Sequence, residues 1–590
     1  MRIIITGSLN KQIFSEPLSP FRFITFRDLS HKEVAWARSI GLKRFYLPSL
    51  TKEESVNFFY EFDKFWDGIV QNFNSHHCFW RNAVSSKMQE WEKSLGFFCI
   101  VLFTLNKMKN GQINLILICD TIQMEYACIE WAKTNGWDVV VNNSLLCRVS
   151  KRFTQEIKNV SWLFFRLSFL IYKKILLMGL KIKNHEGQKL VLITSLFYNN
   201  SFKNGSYQDP VFGSLHAYIR KKGWNCVYLC EGLNAFNRSA FKAALSCRDV
   251  QIYSPLLLIT FWQIAAIFAK LYFRRIRIPE ARFMGVDFTA VIKRKLNNFS
   301  EPFNINSEFF FFATLKLCKL YTFQRLICNF EGNVHERACI QAFRKCNGGK
   351  VIGYSQAVLF PLNLKLRVTK QECLLKPEPD VFVCTGPYAK ELLQRMGERR
   401  PEAFRQGCIL RNLPSLSTGQ NPQNSRKILI ALDGLASTAI LLEWVLEQAP
   451  RLQDFKVYLR FHPNMPAQRI INQILPSLSN NFEISTNDIF EDINKCFCVF
   501  YRHSSVGILA ILNGIPAVYL NIDSPLSGDP IGELSAYKWV VASAPEMAEA
   551  IFAIQALDRQ EDKKLLFQAH SFLNRYFSAC HEKEMEIFLN

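Results

Sequence analysis

A chain of 590 residues exceeds what one hydrophobic core supports, since cores stop growing near ~250–300 residues, so two or three domains are expected. Hydrophobic residues make up 49% and charged residues 21%, which excludes a disordered or collagen-like chain, and 51 Phe residues supply apolar surface beyond ordinary core needs. The net charge of +22 is uneven: residues 426–590 hold 14 basic and 19 acidic side chains, leaving +27 on residues 1–425, whose partner is expected to be anionic.

The opening MRIIIT reads as a first strand, not a signal peptide, so a cytoplasmic protein is expected. The 18 Cys residues show no CxxC pair and read as reduced, buried thiols. A strand over 115–120, a helix over 124–135 and a strand over 138–141 follow. In 160–183 the cations Arg166, Lys173, Lys174 and Lys181 recur at seven or eight residues, one helical stripe opposite a wide apolar face. Residues 256–269 are apolar but too few for the ~20 that a helical span needs, and Arg274, Arg275 and Arg277 come next. A third aromatic run occupies 309–312. These segments are expected to lie in a membrane interface without crossing it; the alternative is that they are core helices of a Phe-rich protein.

From 189 onward, strands alternate with helices. Strands are expected over 189–194, 226–229, 326–330, 351–354 and 381–384, with helices over 211–222 and 334–346. Asp209 sits on the loop before the first of these helices, and Glu331 at a strand end before the second. A polar linker, 413–425, marks the change in charge sign. Strands over 427–432, 456–461, 496–501 and 517–520 come next, with helices over 437–448 and 505–513. Parallel α/β sheets follow from this alternation. The expected plan is an N-terminal α/β segment with a basic amphipathic helix (1–185), a Rossmann-like domain (186–412), the linker, and a second Rossmann-like domain (426–590) facing the first across a cleft.

Three groups in the last domain should share one rim of its sheet: Asp433-Gly434, Arg460-Phe461-His462-Pro463, and Arg502-His503-Ser504-Ser505. Hydroxyls and free N–H groups at a helix start suit an anion, a glycine at the first turn allows close approach, and a histidine can hydrogen-bond a phosphate. Ordinary turns and N-caps would use the same residues singly. No DxD triplet occurs, so no metal is expected.

The order FHP (461–463) then YRHSSVGILAILNGIPAVYL (501–520) resembles the donor half of GT-B glycosyltransferases. Within that group it is similar to bacterial sialyltransferases and Kdo transferases, which use CMP-sugars and carry an HP motif followed by a Ser-Ser motif. Teichoic-acid polyol-phosphate transferases share the pair, and UDP-GlcNAc 2-epimerases share it more loosely. The run ICNFEGNVHERACIQAFRKCNGGKVIGYSQAVL (327–359), with 209–224 and 377–397, resembles bacterial surface-carbohydrate transferases, except that Ser355-Gln356 stands where a His is common. The resemblance covers about residues 191–520 and implies a GT-B fold. It implies that His462, Ser504 and Ser505 bind the nucleotide, with Pro463, Asp433, Gly434 and Arg460 around them. The first choice of general base is Glu331 and the second is Asp209.

The implied function is transfer of a sugar, an acidic one from a CMP-sugar, to a lipid-linked or lipopolysaccharide-type acceptor in bacterial surface polysaccharide synthesis. The implied location is the inner face of the cytoplasmic membrane, with no cofactor beyond the nucleotide-sugar substrate. The alternatives are a CDP-polyol phosphotransferase and a catalytically inactive GT-B scaffold. Nucleic acid is not the expected partner, because the basic residues lie beside apolar runs and no RNA-binding motif occurs.

Overall fold

The short apolar runs become parallel strands buried on both faces, as sheets covered by helices on each side require. The computed structural model describes residues 2–6, 21–26, 33, 36–37, 39–87, 94–108, 114–141, 145–178, 189–197, 201–203, 206–231, 247, 250–346, 349–411, 425–434, 438–462 and 479–590. These form three large parallel sheets.

The first sheet has five strands, in the spatial order Lys43–Arg44, Arg22–Thr25, Asn114–Ile118, Arg2–Thr6, Asp138–Val141. The second has seven: Gln251–Tyr253, Asn225–Glu231, Leu190–Leu196, Phe323–Asn329, Lys350–Ser355, Val381–Cys384, Phe404–Gln406. The third has six: Phe482–Ile484, Lys456–Arg460, Lys427–Ala431, Cys498–Tyr501, Ala517–Leu520, Lys538–Val541. In the second and third sheets the chain winds outward from the first strand, then returns beside it and winds the other way. This doubly wound order opens a crevice at the strand C-termini where the winding reverses. In the third sheet the reversal lies between Lys427–Ala431 and Cys498–Tyr501; in the second it lies between Leu190–Leu196 and Phe323–Asn329.

The units share chain segments. Residues Ile276 to Leu296, from the middle of the sequence, pack into the core of the first unit. The helix Arg559–Tyr576, at the far C-terminus, crosses back to the second unit. There the Tyr576 hydroxyl accepts a hydrogen bond from the Leu359 amide at 2.8 Å, and Thr385 donates to the Tyr576 carbonyl. Gly386 fits against that helix end only because it has no side chain: a Cβ would lie 2.6 Å from two carbonyl oxygens.

Buried ions tie the first unit to the second. Glu308, on the helix Pro302–Leu320, accepts from Arg81 at 3.1 Å and Lys270 at 3.0 Å, with Arg274 at 3.8 Å. This corrects the expectation for Arg274. Its side chain is only 7% exposed and faces the protein interior, not a membrane. Arg337 donates to the Trp80 carbonyl and the Ser85 hydroxyl across the same junction.

The segment expected around 250–269 breaks into two helices, Pro255–Leu258 and Phe261–Phe273, the second capped by Thr260 and Gln263. Among the described residues no helix is long and apolar enough to cross a membrane. Removing the shared counter-charge should expose the cost of the junction. Glu308→Leu leaves Arg81 and Arg274 unpaired inside the protein, and urea unfolding should show a loss of about 3–5 kcal/mol. An unchanged midpoint would contradict the junction's role.

Candidate active site

The third sheet's register brings its rim together. Ala431 lies opposite both Arg460 and Tyr501, so the residues that follow each strand emerge side by side. Asp433 and Arg502 meet at 2.8 Å, both with side chains 0% exposed. Arg502 also donates to the Ile522 carbonyl, and Thr438 donates to the Asp433 carboxylate. Burial alone would raise the Asp433 pKa. The Arg502 guanidinium, with His503 and Thr438, outweighs it and holds the carboxyl well below the usual range.

This locked pair shapes the half-buried surface around it. His462 follows the strand Lys456–Arg460, and burial lowers its pKa, so it is neutral at pH 7. Gly434 packs directly on it: a Cβ there would lie 2.7 Å from the imidazole Nδ1. His503 lies 3.6 Å from Asp433 and adopts φ +42°, a left-handed conformation that non-glycine residues rarely hold without surrounding support. That support is the loop after Ala517–Leu520. Ser524 Oγ lies 3.3 Å from His503 Nε2, and Gly528 lies so close that a Cβ would be 1.5 Å from the ring. Ser504 accepts from the Val506 amide, and Ser505 is the N-cap of Val506–Leu512 without a side-chain capping hydrogen bond. Both serines are half-buried, beside His503. Pro463 lies outside the described residues.

Arg460 is engaged elsewhere. It donates to the Asn487 carbonyl and the Asp492 carboxylate, both at 2.6 Å, and so holds the neighbouring loop. Its expected place among the donor-binding residues is corrected to that positioning role.

On the second sheet, Glu331 follows the strand Phe323–Asn329 beside that sheet's winding reversal. Its carboxylate accepts from Asn329 at 3.0 Å, Gln356 at 3.2 Å and Asn333 at 3.4 Å, and remains half-buried. The helix Val334–Cys346 is capped from within by Glu336, which accepts from the amides of Glu331, Gly332 and Asn333. Burial outweighs those bonds and pushes the Glu336 pKa up to about 6. Glu331 is therefore not used as the helix cap.

Asp209 does not fit a catalytic role. It is buried and accepts from Ser195, Tyr207, and the amides of Val211 and Phe212 at 2.7–2.9 Å. Four donors fill a carboxylate's lone pairs, so it organises the loop and offers nothing to a substrate.

The chain links the two rims through the loop after Lys350–Ser355. Gln356 bonds Glu331, and four residues later the Phe360 ring meets the His503 ring edge-on at 6.3 Å. Arg411, whose pKa burial lowers, lies close enough to Glu331 for their charges to interact, and its buried Nε has no hydrogen-bond partner among the described residues. Sequence reasoning missed Phe360, Arg411, Ser524 and Gly528, because each acts through a loop contact with no local signature. Arg502 was quoted in its motif, but only the structure shows that it pairs with Asp433.

The first unit reaches this site as well. Leu47 N donates to Asp523 at 2.8 Å, Ser49 donates to the Ser524 carbonyl, and Leu50 N donates to the Pro525 carbonyl. Residues 47–50 thus strap the loop that packs His503.

No family model matches the chain, and no curated protein matches it. Solved structures similar to it include Anabaena HepE in complex with UDP and glucose, at 12% identity and TM-score 0.38, covering 68% of this chain and 98% of that one. A glycosyltransferase from Rickettsia africae is similar at 12% identity and TM-score 0.39, over 68% and 98%. MurG of Acinetobacter baumannii is similar at 11% identity and TM-score 0.37, over the same shares. Likeness at this level carries no argument, and the chain's own geometry bears the reading.

The Asp433–Arg502 pair yields a pH prediction. With its folded pKa depressed, Asp433 contributes stability that is complete above the unfolded value of about 3.9 and is lost only as pH falls through the folded value. In Arg502→Met the carboxylate is buried without a counter-charge, and the sign reverses, so the penalty grows as pH rises. Urea unfolding should show a cost of about 3–5 kcal/mol at pH 7 and a clearly smaller one near pH 4.5. An equal cost at both pH values would contradict the pairing.

Proposed function

We propose that the chain is a GT-B glycosyltransferase that moves a sugar from a nucleotide-sugar donor to a hydroxyl acceptor, with the donor on the third sheet's rim and the acceptor on the second's. One observation carries the reading. Two doubly wound sheets, each with polar side chains at its winding reversal, are joined by a loop that touches Glu331 at one end and His503 at the other.

The roles follow from the chemistry. The neutral imidazole of His462, which Gly434 lets lie against the backbone, and the hydroxyls of Ser504 and Ser505 hydrogen-bond the nucleotide phosphate. The bond from the anomeric carbon to the phosphate oxygen breaks as the acceptor oxygen attacks that carbon. The Glu331 carboxylate, aimed by Asn329, Asn333 and Gln356, takes the hydroxyl proton. Arg411 lies beside Glu331 as a cation for charge developing on the leaving phosphate.

In its finer form the donor is a CMP-linked acidic sugar, and the acceptor is a membrane-associated glycan of a bacterial surface polysaccharide. The HP and Ser-Ser residues support the first part, and the charge of +27 on residues 1–425 supports the second.

A panel of CMP, CDP, UDP, UMP, GDP and ADP tests the reading by thermal stabilisation. A ligand at about 100 times its Kd adds about 2.7 kcal/mol of stability. The expected result is stabilisation by cytidine nucleotides, lost in His462→Ala. A shift with UDP alone would replace the donor, and no shift with any nucleotide would leave an inactive scaffold. Glu331→Gln should bind the nucleotide as before and lose at least about 100-fold in transfer rate.

A further inference from the structure

Twelve of the 22 large hydrophobic side chains that are exposed among the described residues sit on two neighbouring helices, Leu145–Leu176 with its last turn and Phe261–Phe273. The first of these helices turns Leu163, Leu170 and Leu177, seven residues apart, onto the core of the second unit. Its opposite face is the unusual one. From residue 161 to 178 every exposed side chain is aromatic, aliphatic or serine, with Phe164, Phe165, Phe169 and Tyr172 at its centre. The second helix continues this face, with Trp262 85% exposed and Phe273 73% exposed at its two ends and Ala265, Ala266, Ala269 and Tyr272 exposed between them; Lys270, also exposed, turns its ammonium to Glu308. Contiguous apolar surface of this kind on a water-soluble unit marks an interaction site.

The charges around the face define what it meets. No acidic residue occurs in 157–178 or in 250–279. The cations lie beside the face and not on it. Lys173 bends over the Phe169 ring, Arg166 is half-buried over Trp162, and Lys174 is tied to the Leu257 carbonyl. Arg275 and Arg277 are exposed just past Phe273. Lys181, expected in the same stripe, lies outside the described residues. The structure thus differs from the expectation of a basic stripe opposite an apolar face: the apolar face points outward and the cations frame it.

We infer that this two-helix face seats in the interface of an anionic lipid bilayer. Aromatic side chains enter the level of the lipid headgroups and the upper acyl chains, and the framing cations meet lipid phosphates. A protein partner would bring acidic side chains to specific cations, whereas a broad apolar face with a basic margin matches a layer that is apolar inside and anionic at its surface. The inference deepens the acceptor side of the proposed function by naming its docking surface. Its test reads binding without turnover, so either can fail alone.

The test uses the full chain and vesicle flotation. Vesicles of phosphatidylcholine containing phosphatidylglycerol should carry the protein up the gradient, phosphatidylcholine alone should carry much less, and about 1 M salt should weaken the binding. The exposed-residue variant Phe165→Ser/Phe169→Ser/Trp262→Ser should fold normally and bind these vesicles at least about tenfold less. Arg275→Glu/Arg277→Glu should lose the preference for anionic vesicles. Three results would overturn the inference: no flotation with either vesicle, flotation unchanged in the triple variant, or self-association abolished by the triple variant without vesicle binding, which would assign the face to a second copy of the chain.

Discussion

The buried pair of Asp433 and Arg502 is the contact on which the site depends. It joins the residues that follow two adjacent strands at the point where the third sheet reverses its winding. A charge pair with no solvent exposure is costly to form and more costly to break, so it fixes the two strand ends relative to each other. His503 can then hold a left-handed backbone, and His462 can rest on Gly434, within the frame that this pair sets. Preorganised groups of this kind spend little of their binding energy on ordering themselves.

The first unit extends that frame. Its strap at 47–50 holds the loop that covers His503, while its buried Arg81, the Ser85 hydroxyl and the Trp80 carbonyl grip the second unit. The C-terminal helix runs back across the second unit from the other side. The connections between the second and third sheets include the first unit, the returning helix, the Phe360–His503 contact and the Arg395–Glu533 ion pair. The placement of the two rims is set by segments far from them in sequence.

Much of this was legible beforehand. The apolar runs at 427–432, 456–461 and 496–501 read as strands because their side chains are buried on both faces, and parallel strands put the residues after them on one rim. That placed Asp433, His462 and Ser504 together without coordinates. What was illegible depended on contacts between distant segments. Asp209 and Glu331 both stand near strand ends, and only the structure shows one buried under four donors and the other half-buried among three side-chain amides, freed from capping because Glu336 caps the helix. Arg274 reads as a surface cation among basic neighbours, but a carboxylate more than thirty residues later draws it inward. The spacing of 166, 173 and 174 suggests a basic stripe opposite an apolar face, but periodicity alone cannot say which face turns inward, and here the apolar face points outward.

The central claim is that the third sheet's rim binds the nucleotide of the donor. The most direct test follows the ring resonances of isotope-labelled histidines as CMP and CDP are titrated into the full chain. The account predicts saturable shifts at His462 and His503 with a common Kd, while His216 and His570 stay where they are. Shifts at neither rim histidine in the presence of any of the six nucleotides would contradict it.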